Sequence, residues 1–436
     1  MRICLLSYRG NMYCGGQGVY VYYLSKFLAR QGHEVHLVQG PPYTWDTPWC
    51  VQHRLHDYNM FATRKFFYRS IPPDKLFTLF WPTHFYEFAA TRFGFFPEML
   101  AFSMRAYNLL RKLWNDRPFD IIHDNQTLAY GLLLMKTLGA PVVSTIHHPL
   151  SEDRLADFQQ LPRLFDRLKR TVYYPIDMNR RVTPWMDDII TVSETAAESV
   201  SRSFLVDRDR VKVVYNGVDT GMFRPDPSVS KKPRSLIFVG NTEDRKKGIR
   251  YLLEALLYLP RDVTLTVVDG GAPRQVHMQE LTKRYNLQGR VNCTGGIPTE
   301  EVAEKYRQAE IGVCPSVYEG FGFPASEAMS SGLPVVSTTG GALPEVVGKD
   351  GEAGFLVPPR DPRALARAIS RLLDNEQLRH RMGEAGRARI EKYFSWDVAC
   401  RDMTGLYEEN IRRKRERTGA RLKRADIFTC NKRTPE

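Results

Sequence analysis

The chain predicts an α/β protein built from two doubly wound, Rossmann-like domains that face each other across a cleft. Three observations carry that expectation. At 436 residues it is too long for one ordinary core and suits two domains of roughly 200 residues each. Short apolar runs alternate with amphipathic helical segments through both halves, the pattern of a parallel sheet covered on both faces. A polar, proline-containing stretch over residues 224–234 separates the halves and reads as a linker over 225–234.

The second half is the more regular. Strand-like runs at 235–240, 263–268, 290–293, 311–314 and 334–337 alternate with helical segments. Ile249, Leu252, Leu253, Leu256 and Leu257 share one helical face, and Leu365, Ala368, Ile369 and Leu372 do the same in a helix predicted over 361–373. Further helices are predicted over 299–309 and 324–331. In the first half, a strand over 3–7 leads through a Gly-rich turn into a helix with Tyr20, Tyr23, Leu24, Phe27 and Leu28 on one face. A strand over 34–38 follows, and the pattern resumes with strands at 120–123, 141–145, 188–192 and 211–214 and a helix over 128–138. Between them, residues 43–107 are rich in aromatics and fit no simple period. They read as an insertion near the site, or equally as a helical subdomain packing its own aromatics.

Composition narrows the class. With 43% hydrophobic and 25% charged residues the chain is globular, not disordered or fibrous. No run reaches the roughly 18 apolar residues that a membrane span needs. The apolar start is too short for a signal peptide and reads as a first buried strand. Seven scattered cysteines without a CxxC pair point to a reducing compartment, the cytoplasm by default, and to no structural zinc. The net charge of +13 is concentrated in residues 412–436, where ten Lys/Arg face three Asp/Glu. That basic tail reads first as a solvated end. An anionic membrane surface is a partner it allows, with nucleic acid the weaker option.

The segment CPSVYEGFGFPASEAMSSG, from Cys314 to Gly332, carries most of the chemistry. A strand ends near Cys314, a Gly-containing loop follows, and Pro324 suits the first position of a helix. Unpaired N–H groups at that helix start, approached closely through Gly320 and Gly322, suit an anion or sugar hydroxyls. Glu319 precedes the loop and Glu327 follows it, so two carboxylates stand on either side of a ligand-sized turn. Carboxylates accept hydrogen bonds from vicinal hydroxyls, such as those of a sugar or a ribose.

This segment resembles the Glu-x7-Glu motif of the family 4 retaining glycosyltransferases, which have the GT-B fold. The similarity runs in order along most of the chain. It takes in GGQGVYVYYLSKFLARQGHEV, VSTIHHP, VVYNGVDTGMFRP, EGFGFPASEAMSSGLPVV, GGALPEVV and GFLVPPRDPRALARAI. FSWDVACRDMTGLY resembles the last segment of that fold, whose helix crosses back to the N-terminal domain. The resemblance therefore implies an N-terminal domain over 1–224, a nucleotide-sugar-binding domain over 235–394 and a crossing segment over 395–411.

The resemblance also implies roles. Glu319 would bind donor-sugar hydroxyls, with backbone N–H groups of Gly320, Phe321 and Gly322, and Glu327 would accept from the ribose. Gly15 and Gly16 would form the loop against the donor diphosphate. His147 would contact the transferred sugar, with His148 ranked second. Ile297, after Gly295 and Gly296, would meet the base, and Glu345 would be a conformational or supporting carboxylate. The family's usual Arg is replaced here by Asn241. Lys247 matches the family's Lys, and Arg245 is read as the substitute cation for the diphosphate. The implied substrate is a nucleotide diphosphate sugar, with no further cofactor and no metal, and the acceptor is a sugar, a lipid-linked sugar or a small molecule. One DxD match, Asp207-Arg208-Asp209, lies in a surface-like charged run and is read as chance. Two competing readings are a basic nucleic-acid- or membrane-binding protein on the same scaffold, and a nucleotide-sugar isomerase or hydrolase.

Overall fold

The computed structural model describes residues 1–10, 12, 16–55, 81–93, 95–151, 154, 173, 175–270 and 276–430, the side chains of 276 and 420–430 excepted. Two all-parallel sheets organise it. The first has seven strands: β1 (Arg2–Ser7), β2 (Glu34–Gln39), β3 (Val51–Arg54), β4 (Ile121–Asn125), β5 (Val142–Ile146), β6 (Ile189–Thr191) and β7 (Val211–Val213). Their spatial order is β3-β2-β1-β4-β5-β6-β7. The second sheet contains β8 (Ser235–Val239), β9 (Thr264–Val268), β10 (Val291–Thr294), β11 (Ile311–Cys314), β12 (Val335–Thr338) and β13 (Gly354–Val357), in the order β10-β9-β8-β11-β12-β13. In each sheet the order reverses beside the first strand, between β1 and β4 and between β8 and β11. Such switch points open a crevice at the carboxyl ends of the strands, where ligands bind. The α/β reading and the doubly wound halves are therefore observed.

In the first domain the helices are α1 (Gln17–Arg30), α2 (Pro82–Phe93), α3 (Glu98–Asp116), α4 (Gly131–Met135), α5 (Ile176–Val182) and α6 (Glu194–Phe204). The second domain adds α7 (Ile249–Leu256), α8 (Val276–Arg284), α9 (Thr299–Gln308), α10 (Phe323–Ser330), α11 (Leu343–Val347), α12 (Pro362–Leu373) and α13 (Glu376–Tyr393), and α14 (Trp396–Cys430) follows. The amphipathic patterns bury the faces their spacing predicts, except that Leu257 lies just past the end of α7 and is exposed. Leu365, Ile369 and Leu372 of α12 are buried against the second sheet. Asp361 caps that helix through its carboxylate and the Ala364 N–H at 2.9 Å, worth about 1 kcal/mol.

Three features depart from the sequence pattern. The aromatic segment 43–107 contains β3, an edge strand with exposed ends and no apolar alternation to announce it. It also contains the first half of α3, whose Met99, Phe102, Ala106 and Leu110 belong to the main core of the first domain. Residues 56–80 of the segment lie outside the described residues. The third departure is α14, which continues past position 411 to Cys430. Arg413, in the basic stretch, bonds Asp188 of the first domain at 2.8 Å, so this stretch begins as part of an anchored helix.

The start of α14 packs on the first domain. Trp396 stacks on Tyr23 of α1 with ring centroids 5.8 Å apart, and Ala399, Cys400, Met403 and Tyr407 join the same buried cluster. The chain thus crosses the cleft twice, once near 225 and once near 395. Val218 and Ser395 bridge the two crossings.

Candidate active site

In the second domain, β8 is followed by Gly240-Asn241, and a short turn over Arg245–Lys247 precedes α7. Asp244 caps the turn by accepting from the Lys246 N–H at 2.9 Å. Gly248 closes it with φ 69°, and a Cβ there would lie 2.1 Å from the Pro315 carbonyl oxygen. Only glycine lets the turn lie so tightly against the Pro315-Ser316 loop. The result places Lys247 Nζ 2.9 and 3.0 Å from the two carboxylate oxygens of Glu319. Ser316 Oγ donates to Glu319 Oε1 at 2.7 Å. Burial opposes the Lys247 charge, but the attraction and hydrogen bonds of Glu319 outweigh it and hold its pKa above the ordinary lysine value. Arg245 begins the same turn with its side chain exposed, and no ion pair joins it to Glu319 among the described residues.

The loop after Glu319 turns into α10 one residue earlier than the sequence suggests. Gly322 takes the cap position, Phe323 is the first helical residue and Pro324 the second. Phe321 is buried, edge-on to Phe323 and Phe394, so its ring is structural and only its backbone faces the loop. Glu327 looks out from the other side of the helix start into a cleft pocket. That pocket encloses about 830 Å³ including its open mouth, and Asn241, Gly296, Ile297 and Tyr23 also line it. Tyr306 OH lies 3.3 Å from Glu327 Oε2. Burial pushes the Glu327 carboxyl up to about 8, only partly opposed by the Tyr306 hydroxyl. The side chain keeps some solvent contact, yet protein atoms pack closely around its carboxylate.

The first domain supplies the facing wall. Gly16 caps α1, and a Cβ there would come within 3.8 Å of the Phe323 ring across the cleft. Gly15 lies outside the described residues. His147 follows β5, and its carbonyl is so close to the Glu319 loop that a Cβ on Gly320 would lie 3.3 Å from it. His147 Nε2 bonds Asn125 Oδ1 at 2.8 Å, its backbone N–H donates to Gln126 Oε1 at 2.8 Å, and Tyr20 packs edge-on at 4.7 Å. Burial, then the neighbouring His148 and His123, lower its pKa to about 3, so the imidazole is neutral near pH 7. The His148 carbonyl accepts from Gln126 Nε2 at 2.9 Å.

Glu345 lies at the domain junction. Its carboxylate accepts from the backbone N–H groups of Glu194 and Thr195 at the start of α6, at 2.8 and 2.9 Å. It also accepts from Thr195 Oγ1 at 2.6 Å and Tyr215 OH at 3.1 Å. Ser193 Oγ donates to the Gly320 carbonyl at 2.7 Å, and Lys26 pairs with Asp219 at 3.1 Å.

The structure thus brings Gly16, His147, Lys247, Glu319, Gly320, Phe321 and Gly322 to one crevice, with Ile297 and Glu327 lining the adjoining pocket. Sequence reasoning overlooked Asn125, Gln126, Ser316, Tyr306 and Ser193. Asn125 and Gln126 left a visible signal, the polar run Asp124-Asn125-Gln126 that ends the strand begun by Ile121 and Ile122. Gln126 holds φ at 60°, a conformation that non-glycine residues adopt only when the surroundings enforce it.

Comparison with known proteins agrees with this geometry. Residues 14–221 match the family described as Glycosyltransferase Family 4, and residues 221–389 match Glycosyl transferases group 1. The chain is 36% identical over 416 residues to the MMP alpha-(1->4)-mannosyltransferase of Mycolicibacterium hassiacum, covering 95% of this chain and 99% of that protein. It is 26% identical over 423 residues to a glycogen synthase of Mycobacterium tuberculosis, covering 93% and 94% of the two chains. Among solved structures, sucrose-phosphate synthase from Thermosynechococcus elongatus superposes with a TM-score of 0.71 at 24% identity, covering 94% of this chain and 99% of that one. Anabaena HepE in complex with UDP-glucose gives a TM-score of 0.65 at 17% identity, covering 94% and 100%. Both share the fold.

Proposed function

Because the chain belongs to glycosyltransferase family 4, we propose that it is a retaining hexosyltransferase that carries a sugar from a nucleotide diphosphate to a hydroxyl of a saccharide acceptor. The observation that carries the reading is the Lys247–Glu319 pair set against His147 across the cleft, beside the pocket that Glu327 lines.

In this reaction the bond between the anomeric carbon and the diphosphate oxygen breaks with its electrons on the diphosphate. The acceptor oxygen bonds to the same carbon from the same face, and its proton passes to the departing diphosphate. Lys247 stabilises the developing negative charge, and exposed Arg245 swings in as the second cation. Glu319, held by Ser316 and Lys247, binds sugar hydroxyls and is too well neutralised to attack as a nucleophile. Glu327 accepts from the ribose, and Ile297 packs on the base. Domain contacts through Ser193 and Glu345 shut out water, which favours transfer over hydrolysis or isomerisation.

The name of the 36% identical relative makes mannose the first sugar to test, and the glycogen synthase relative makes a polysaccharide the first acceptor class. The experiment is a thermal-shift panel of UDP-glucose, UDP-galactose, ADP-glucose and GDP-mannose, since a bound donor raises the melting temperature by mass action. Transfer is then followed by anomeric analysis of the product in chelator. An inverted anomer, or activity that chelator removes and a divalent metal restores, overturns the retaining, metal-free mechanism. Among the described residues no helix is long and apolar enough to cross a membrane. Peripheral seating through the basic part of α14 is tested by co-sedimentation with vesicles containing anionic lipid.

A further inference from the structure

The side-chain amide of buried Asn125 sits among three groups whose hydrogen-bonding roles determine one another. Its Nδ2 is 3.2 Å from the Gln17 carbonyl oxygen and 3.2 Å from Ser7 Oγ, while its Oδ1 is 2.8 Å from His147 Nε2. The Gln17 carbonyl can only accept. Ser7 already donates its hydroxyl hydrogen to the Arg9 carbonyl at 2.7 Å, so toward Asn125 its oxygen also accepts. Both neighbours therefore require the amide nitrogen, and the reversed amide would set oxygen against two acceptors. That leaves Oδ1 facing the ring, where it can bond only a ring N–H.

We infer that Asn125 is a positioning residue that holds His147 as its Nε2–H tautomer and presents the Nδ1 lone pair as an acceptor for one hydroxyl of the donor sugar. The inference rests on the transfer reading for the identity of the ligand and on the amide network for the tautomer. Gln126, bonded to the His147 backbone N–H, and the edge-on Tyr20 ring fix the imidazole plane. Among the described residues no hydrogen bond reaches Nδ1. The neutral state that burial imposes agrees with the assignment. Such an acceptor selects for a hydroxyl at one position of the sugar, because a donor lacking it leaves Nδ1 unpaired inside a closed site.

The tautomer is read directly in the full-length free enzyme by long-range 1H–15N correlation of 15N-histidine, with His147→Asn as the assignment control. A pyrrole-type Nε2 and a pyridine-type Nδ1 are expected, and a pyrrole-type Nδ1 overturns the proposal. Asn125→Leu should mix the tautomers and lower kcat/KM by about tenfold or more with whichever of the four donors turns over. A monodeoxy series of that donor then locates the partner: at one position the wild type loses activity and Asn125→Leu loses little further. Equal losses in both enzymes at every position overturn the acceptor role. If none of the four donors turns over, the transfer reading falls, while the free-enzyme spectrum still decides the tautomer.

Discussion

Replacing Glu345 by alanine should release the two domains from each other without disturbing either core. The carboxylate makes four interdomain contacts, to the Glu194 and Thr195 N–H groups, Thr195 Oγ1 and Tyr215 OH. At about 1 kcal/mol net for each hydrogen bond they sum to about 4 kcal/mol. The Glu194 end is open to solvent, which screens its share and leaves about 2–3 kcal/mol. That energy corresponds to a shift of about 30- to 150-fold in the ratio of closed to open molecules. The Ser193–Gly320 bond across the cleft remains, so the variant opens more often without losing the closed form. Single-molecule energy transfer between one dye on each domain measures the ratio, and circular dichroism checks that the fold is intact. Glu345→Gln, which keeps one acceptor oxygen, should fall between wild type and alanine. An unchanged distance distribution in donor-free Glu345→Ala would show that these contacts do not set the domain equilibrium, and the reasoning would fail.

Other perturbations report on the pocket and its supports. Free Glu327 is protonated below about pH 8, whereas a ribose needs its carboxylate. Nucleotide binding at pH 7 should therefore release a proton, measured by calorimetry in buffers of different ionisation enthalpy, and affinity should tighten as the pH rises toward 8. Because the folded state holds this proton more firmly than the unfolded chain, stability is lost as pH rises from the ordinary glutamate range through about 8. Glu327→Gln should flatten both dependences. Lys247→Met strands the Glu319 carboxylate and should cost about 3 kcal/mol in chemical denaturation, largely recovered by adding Glu319→Gln. The single variant should also lower kcat by at least about 100-fold. Gly248→Ala forces the turn away from Pro315 and should raise the donor KM and lower kcat in a chain that still folds. Tyr407→Phe removes the hydroxyl bonded to His123 Nδ1 and should cost about 1–3 kcal/mol of stability with donor affinity unchanged.

What was legible in the sequence follows from where each signal lives. Strands at 235–239 and 311–314 and helix α12 could be read because burial writes its period into adjacent residues. The edge strand β3 is exposed at both ends, so burial wrote nothing there. The first turns of α3 were hidden among aromatics that belong to the same segment but not to one face. Lys247 and Glu319 are 72 residues apart, and no local spacing joins them. The family resemblance placed both at the donor, and the structure adds that, without ligand, they neutralise each other. The Asn125–His147 bond and the Tyr407–His123 contact, the latter across 284 residues, are polar pairs inside a folded core. Hydrophobic patterning is silent about such pairs, because they depend on how strands and helices meet in three dimensions.

The return of α14 onto α1 has a consequence for biosynthesis. Trp396, Met403 and Tyr407 complete a face of the first domain that also contains Tyr20, Tyr23 and Phe27. Those aromatics emerge from the ribosome more than 350 residues before their partners do. The second domain, whose strands and helices are contiguous from 235 to 393, can close its core while the first still waits with an uncovered aromatic flank. Where the second domain closes first, order of completion reverses order of synthesis, and the waiting flank is the surface that a chaperone would have to shield.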